Sequence, residues 1–585
     1  MSKQTKTAKP GPPKGPSVFS LLAPYRRLII WLILLALLSN VINLALPKIV
    51  ANGIDDFNKG RYDVQKILVV FLIAAAVVFI FSYLQSVVQT YASEMVARDM
   101  RKKLSDKISR QSYAYIEQTG PSKLLTNLTG DVDAIKMFVS QAVVSLASSI
   151  IIIVGVVILL FSINWRLAFA IIGIIPIIGG AFAYVLKKVR PIFMKSRGII
   201  DKLNKVINES ILGSALIRVI NSQQLEYDKF VEANTEAKNL GLSVLRMFAA
   251  LIPIIVFTAN MASLTILALG GRFVIAGTMS LGDYSAFASY LAMLIFPILV
   301  IGFMSNVIAQ ATASYVRINM VLETPEKPDT GTVTETLKGN ITLNNVSVVY
   351  GQKPALKNIG FSVKAGTKLA IIGPTAAGKT QLLYLLTGLI KATEGTVEFD
   401  GRNIDSYVKE SFHSQVGFVF QDSIMFNMSI RENIAFSDKV TDDSLAKAIA
   451  TAELKDFIDS LPDKLDTKVS ERGTSLSGGQ KQRIMLARAL AVNPKVLLLD
   501  DFTARVDTNT ETKILKNVEA NYPGLTLISV TQKIASVEHF HSVIVLMEGE
   551  IVATGTHTEL METSPEYVQI YDSQQSTSNY ELQPQ

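Results

Sequence analysis

The run Gly373-Pro374-Thr375-Ala376-Ala377-Gly378-Lys379-Thr380 has the residue types and the spacing, G-x-x-x-x-G-K-T, of a loop that wraps a phosphate. Glycines let backbone N–H groups turn inward around a β-phosphate, Lys379 adds a full positive charge, and the Thr380 hydroxyl is a ligand for Mg²⁺. Such a loop needs a buried strand before it and a helix after it. Lys368 to Ile372 is a short apolar run of strand character, and Gln381 to Leu386 reads as helix, whose N-terminus supplies further partial positive charge.

Four more elements follow in order. They are a glutamine after a strand (Val416 to Gln421), the run Leu476-Ser477-Gly478-Gly479-Gln480, an apolar strand ending in two acids (Val496 to Asp501), and Ile528 to Gln532. Upstream, the alternation from Ile341 suggests an edge strand ending on Tyr350, an aromatic able to stack on adenine. The soluble domain carrying these elements is expected over 339–570, behind a polar linker at 326–338 and before a flexible tail at 571–585.

The first half has a different character. Of 585 residues 49% are hydrophobic and only 18% charged, too apolar for a purely soluble protein. Cysteine is absent, which excludes disulfides and thiolate metal sites, and four histidines leave little room for zinc, so Mg²⁺ with the nucleotide is the expected metal. The formal charge of +8 sits mainly between apolar segments, where membrane topology explains it better than nucleic-acid binding.

Residues 1–16 read as a disordered cytoplasmic tail without the features of a cleavable signal. Over 17–325, apolar segments near 21–50, 66–90, 139–164, 167–186, 247–270 and 284–310 reach the roughly 20 residues that cross a bilayer. Connections 91–138 and 187–246 carry eight and eleven Lys or Arg, against four in the other three together, so these two loops and both termini are expected in the cytoplasm. Each long loop reads as two helical extensions joined by a short turn. Arg26, Arg27, Lys48, Arg166, Lys187 and Asp283 all lie toward span ends, which disfavours a proton or ion relay inside the bilayer. Asn40, Asn43, Gln85, Gln89, Gln141 and Asn260 can face either a cavity or a neighbouring helix, and Pro47, Pro176, Pro253 and Pro297 are candidate kinks.

On these motifs residues 339 to about 570 resemble the nucleotide-binding domain of an ABC transporter, and 17–325 the six-helix membrane domain of ABC exporters. The implied fold is an α-helical transmembrane domain, six helices with long cytoplasmic extensions, followed by an α/β P-loop NTPase domain. The resemblance assigns adenine stacking to Tyr350, phosphate binding to Gly373 through Gln381, and the Mg²⁺ shell to Thr380, Gln421 and Asp500, the last through water. It assigns Ser477, Gly478, Gly479 and Gln480 to the γ-phosphate of ATP on the opposite subunit. Ser112–Gln118 and Arg218–Tyr227 match the two coupling helices, and Thr467–Gly473 the segment that touches them across the dimer.

Three positions depart from the family pattern. Asp501 stands where a glutamate usually orients the attacking water, Gln532 where a histidine usually meets the γ-phosphate, and Ala504-Arg505-Val506-Asp507 where Ser-Ala-Leu-Asp is usual. The expected protein is an ATPase-coupled translocase in a bacterial inner membrane. It would form one half of a heterodimeric multidrug-type exporter of amphipathic or lipophilic substrates, with a hydrolysis-poor site on this chain. A slow homodimeric exporter and an ATP-gated channel or regulator of the same architecture are the alternatives.

Overall fold

A computed structural model describes residues 17–60, 63–326, 330–351, 353–470 and 473–581. The chain divides into two compact units. One holds residues up to Arg110 and Thr119–Pro325, the other Gln111–Gln118 and everything from Glu326.

The first unit is helical. Its long helices are Arg26–Asn58, Val64–Ser109, Pro121–Ile163, Ile174–Leu212, Gln223–Ile275 and Leu281–Glu323. Among the described residues, five helical segments are long and apolar enough to span a membrane, the first of them counted from Val18. The remaining expected span, 167–186, falls on Trp165–Ile172 and the start of Ile174–Leu212, with a break at Gly173. Val64–Ser109 has 46 residues and is therefore about 70 Å long, roughly twice a hydrocarbon core.

The turns are set by short polar side chains. Asp63 accepts the Lys66 N–H at 3.1 Å, and Asn164 accepts those of Arg166 and Leu167 at 3.1 and 3.2 Å, each satisfying orphan donors of a helix start. Pro47, Pro253 and Pro297 lie inside helices. Pro176 instead occupies a first turn, where a missing N–H costs no intrahelical bond.

Val156, Leu160, Leu167, Ile171, Phe287 and Leu294 build the apolar centre of this unit. Buried among them, Tyr290 donates its hydroxyl to the Leu44 carbonyl at 2.9 Å. Of the six polar side chains, Gln89 bonds a neighbouring helix, its amide donating to the Ser140 carbonyl, whereas the Asn40 amide donates to the Ala36 carbonyl of its own helix at 2.7 Å. Charge is confined to ends, where Lys48 pairs with Asp283 at 2.5 Å and Asp55 accepts from the Ser280 hydroxyl and the Gly282 N–H at 2.6 and 2.8 Å.

Asp131 is buried and accepts from Ser314 Oγ at 2.9 Å and Arg317 Nε at 3.0 Å, tying the Pro121–Ile163 helix to the end of Leu281–Glu323. Replacing Arg317 by Met leaves this carboxylate with one hydroxyl donor. Because the Arg317 side chain is 46% exposed, the expected loss is about 1–3 kcal/mol rather than that of a fully buried pair, read as a lower melting temperature in detergent or nanodiscs.

The two long basic loops do end in short turns. One tip carries the helix Tyr113–Thr119, most of it within the second unit. The other runs Ser214–Val219, then a turn at Asn221 with φ 55°, then the helix from Gln223, so Arg218–Tyr227 spans a helix end, a turn and a helix start. Leu212, Leu216, Val219 and Ile220 are exposed there.

The second unit contains two sheets. An antiparallel one pairs β1 (Ile341–Tyr350) with β2 (Lys353–Val363) on one side and β4 (Glu394–Phe399) on the other, with the short β5 (Arg402–Asn403) beyond β4. β1 is thus an inner strand and not the edge its alternation suggests. The mainly parallel sheet contains β3 (Lys368–Ile372), β6 (Val416–Val419), β7 (Val496–Asp500), β8 (Thr526–Val530), β9 (Ser542–Met547) and β10 (Glu550–Gly555), in the order β10-β9-β3-β8-β7-β6. β7 and β8 are buried at every residue, as continuous apolar runs in a parallel sheet require.

Much of the segment expected to link the domains is bound to this unit. The Thr332 and Val333 N–H groups both donate to the Ser406 carbonyl at 2.9 Å, and Leu337 is buried. Residues 571–581, expected as tail, continue the helix Pro565–Glu581. The expected tail 1–16 and residues 471–472 of the segment Thr467–Gly473 lie outside the described residues.

Candidate nucleotide site

The register of the parallel sheet gathers the expected site residues at one edge. Ile371 pairs with Val530, Val530 with Asp500, and Leu499 with Val419. The loops leaving β3, β8, β7 and β6 therefore begin side by side at the carboxyl ends of adjacent strands, the usual ligand crevice of such sheets. They carry Gly373–Gly378, Gln532, Asp501 and Gln421 respectively.

The helix Lys379–Leu386 begins directly behind the loop, with Gly378 at φ 98°. Lys379 Nζ donates to the Gly373 and Pro374 carbonyls at 2.8 Å each, so its ammonium sits inside the ring of the loop. Burial lowers the Lys379 pKa, and the charges of Asp501 and Asp500 oppose that shift. Ala376 holds φ 65°, a left-handed conformation costing a non-glycine residue roughly 1–2 kcal/mol, and such strain concentrates at ligand clamps. A β-carbon on Gly373 would lie 2.0 Å from the Leu546 carbonyl oxygen, so the loop passes β9 at backbone contact distance. Tyr350 donates its hydroxyl to Gln381 Oε1 at 2.7 Å, which brings the aromatic at the end of β1 beside the helix after the loop.

Asp500 is 2% exposed, and burial raises its pKa, with Thr380 hydrogen bonding opposing the shift. Its Oδ2 has no hydrogen-bond partner, an uncommon state for a buried carboxylate. A buried acid with a spare oxygen near the Thr380 hydroxyl fits a divalent cation, so Thr380 and Asp500 pass the test for Mg²⁺ on their donor chemistry. Asp501 is left-handed at φ 46°, its N–H donates to the Val530 carbonyl at 2.9 Å, and burial raises its pKa while Lys379 and Lys533 lower it. Gln532 is exposed just past β8.

Ser477 starts the helix Gly478–Ala491 with a reciprocal cap. Its Oγ accepts from the Gln480 N–H at 3.3 Å, and Gln480 Oε1 accepts from the Ser477 N–H at 2.8 Å. The Gly478 and Gly479 N–H groups, in the first turn, have no acceptor within the helix ladder. The altered Ala504–Asp507 run lies against it: Arg505 Cδ would be 3.1 Å from a β-carbon on Gly478, and the Arg505 carbonyl oxygen 2.9 Å from one on Gly479.

Three side chains without motif spacing organise this region. Gln482 donates to the Gln421 carbonyl at 3.0 Å, linking the helix from Ser477 to the loop after β6. Arg488, its pKa lowered by burial to about 10, donates to the carbonyls of Asn433 and Ile424 at 2.6 and 3.1 Å and lies over Phe426 and Phe436. Tyr384 meets Tyr113 edge-on at 5.6 Å, which seats the expected first coupling helix within the second unit. Only for Arg488 was there a sequence signal, a charge inside an otherwise apolar helical stripe.

These features define a P-loop nucleotide-binding domain joined to a helical membrane domain. A model described as the ABC transporter transmembrane region matches residues 28–298, and one described as ABC transporter matches 356–504. The chain is 31% identical over 562 residues to the uncharacterised ABC transporter ATP-binding protein YfiB of Bacillus subtilis, covering 95% of this chain and 98% of that one. It is 30% identical over 552 residues to the probable multidrug resistance ABC transporter ATP-binding/permease protein YheI of the same organism, with 93% and 94% covered. It is 29% identical over 497 residues to the ATP-dependent lipid A-core flippase of Syntrophus aciditrophicus, with 84% and 83% covered. In fold it matches a bacterial Atm1-family ABC exporter solved with ATP bound, at TM-score 0.78 and 24% identity over 94% of this chain and 99% of that one.

The chain belongs to the ABC transporter family. It is a multi-pass membrane protein with a fused ATP-binding domain, and the family's activity is transport coupled to ATPase action.

Proposed function

We propose that this chain is the hydrolysis-poor half of a heterodimeric ABC exporter, resident in a bacterial inner membrane with both termini in the cytoplasm. The observation that carries the reading is that Asp501 and Gln532 stand just past the ends of adjacent strands, β7 and β8, beside an intact phosphate loop and an intact Ser477–Gln480 cap. A carboxylate one methylene short holds the attacking water about 1.5 Å from its usual place, and a neutral amide brings no positive charge to the phosphoryl oxygens. Binding residues remain: Lys379 and the loop N–H groups hold the phosphates, and Tyr350 stacks the base. Thr380, Asp500 and Gln421 would hold Mg²⁺, which neutralises phosphate charge when bound.

The cap acts on the other nucleotide. Ser477 and the N–H groups of Gly478 and Gly479 face the γ-phosphate bound by the partner subunit's loop, so this chain completes a competent site while keeping ATP in its own. Closure of the two ATP-binding domains around both nucleotides draws the cytoplasmic loop tips together and opens the membrane cavity outward. The uncharged mid-spans and the names of two relatives, a probable multidrug resistance transporter and a lipid flippase, favour an amphipathic or lipophilic cargo.

Purification of the chain with and without its partner tests the assembly. The pair should hydrolyse ATP at least ~10-fold faster per chain than this protein alone; brisk ATPase activity of the lone chain overturns the proposal. The cap has its own test. In the paired transporter, Gly479→Ala places a methyl against the Arg505 carbonyl and should lower turnover about 10-fold while leaving ATP binding by this chain's own loop intact.

A further inference from the structure

The turn after β8 is held by a side chain from the last helix of the chain, far outside the ATP-binding motifs. Gln574 Nε2 donates to the Gln532 carbonyl at 2.5 Å, and Gln574 Oε1 accepts the Ile534 N–H at 3.0 Å. One primary amide thus spans a backbone acceptor and a backbone donor two residues apart, as a neighbouring strand would. The pairing fixes which end of the amide faces which group, because the flipped amide would set oxygen against oxygen and N–H against N–H.

Ile534 and Val537 anchor the far side of the turn in the core, and a few further bonds hold its near side. Thr531 N–H bonds the Ile371 carbonyl at 3.2 Å, and Lys533 N–H bonds Thr531 Oγ1 at 3.0 Å. Lys533 Nζ reaches the Thr503 carbonyl at 3.2 Å, joining the turn to the residues after Asp501. The helix that brings Gln574 is itself anchored: Tyr567 is fully buried, its hydroxyl meets His557 Nδ1 at 2.8 Å, and Ile570 and Tyr571 pack on the core.

We propose that Gln574 is a positioning residue for ATP hydrolysis, holding the backbone of Gln532 so that its side chain meets the γ-phosphate. The inference rests on reading Gln532 as a γ-phosphate residue. It makes the C-terminal helix a part of the catalytic apparatus and a place where movement of that helix would switch the site.

Hydrogen exchange of the full-length chain in lipid nanodiscs tests it, using Mg·ATP as the probe. In the unaltered chain ATP should slow exchange of the 531–536 amides. Gln574→Ala should accelerate exchange there about 10-fold, as expected for the loss of one amide hydrogen bond, and abolish the ATP-dependent slowing while ATP still binds. Turnover is read in the Asp501→Glu/Gln532→His background, where adding Gln574→Ala should lower kcat about 10-fold at unchanged KM.

Gln574→Glu keeps the acceptor for Ile534 but sets a carboxylate against the Gln532 carbonyl. Its activity relative to the parent should therefore recover as pH falls and the carboxyl gains a proton to donate. Unchanged exchange at 531–536, changed exchange with ATP-dependent slowing and kcat both intact, or a rise in KM alone would each overturn the proposal. If the Asp501→Glu/Gln532→His background gains no activity, the hydrolysis-poor reading fails, while the ATP-dependent exchange still decides the role of Gln574.

Discussion

Replacing Asp501 by Glu and Gln532 by His together is expected to raise hydrolysis at this chain's own phosphate loop by about 10- to 100-fold. Two separate deficits are repaired. The longer carboxylate recovers roughly 1.5 Å of reach toward the water, and misplacements of about 1 Å are worth up to ~100-fold in rate. The imidazolium restores a charged donor where negative charge develops on the phosphoryl oxygens. Burial raises the proton affinity of the Asp501 carboxyl, so its basic form is reached only at a higher pH than for an ordinary aspartate. Single-turnover hydrolysis of ATP bound to this chain is the measurement, compared across pH. No gain in the double variant would mean that Asp501 already does the work of the longer acid.

A second large effect is expected from one methyl group. Gly373→Ala would set its β-carbon 2.0 Å from the Leu546 carbonyl oxygen, a distance no side-chain rotation relieves because both partners are backbone. Either β9 or the phosphate loop has to move. The loop is already strained at Ala376, so it is the softer of the two. ATP affinity should fall by at least ~100-fold, equivalent to about 2.7 kcal/mol, whereas the membrane helices should keep their fold. Equilibrium ATP binding and the ATP-dependent rise in melting temperature measure both parts. Retention of near-parental affinity would show that the Gly373–Gly378 segment does not wrap the nucleotide as its geometry implies.

The site was legible in the sequence wherever backbone conformation or charge had to be bought with particular residue types. Glycines and a lysine at fixed spacing disclose the phosphate loop, and Ser477 with Gln480 disclose a cap, because few other residues do those jobs. Membrane spans were legible for the same reason: hydrocarbon thickness leaves a chain no choice of length or polarity. What stayed hidden depends on contacts between distant segments. Gln482, Arg488 and Gln574 act through backbone carbonyls and amides of other loops, and a carbonyl has no sequence signature.

β1 shows a different failure. Its alternation reports one wet face correctly, but a strand can be half-exposed and still be paired along both sides, as β1 is by β2 and β4. At the second loop tip, the short turn expected between two helical extensions falls at Asn221, inside the segment Arg218–Tyr227. The Gln111–Gln118 segment lies some two hundred residues before the unit it joins, and the packing of Tyr113 on Tyr384 marks the association.

Asp500, Asp501 and Glu511 are all buried or half-buried, and for all three burial raises the pKa above the range of a free carboxyl. A raised folded-state value means that each acid favours the folded form only while protonated, an advantage complete below the unfolded pKa and lost as pH climbs through the folded one. Stability of the ATP-binding domain is therefore expected to fall as pH rises through the folded values of these acids. A divalent cation bound at Asp500 would offset part of that loss by compensating the buried carboxylate.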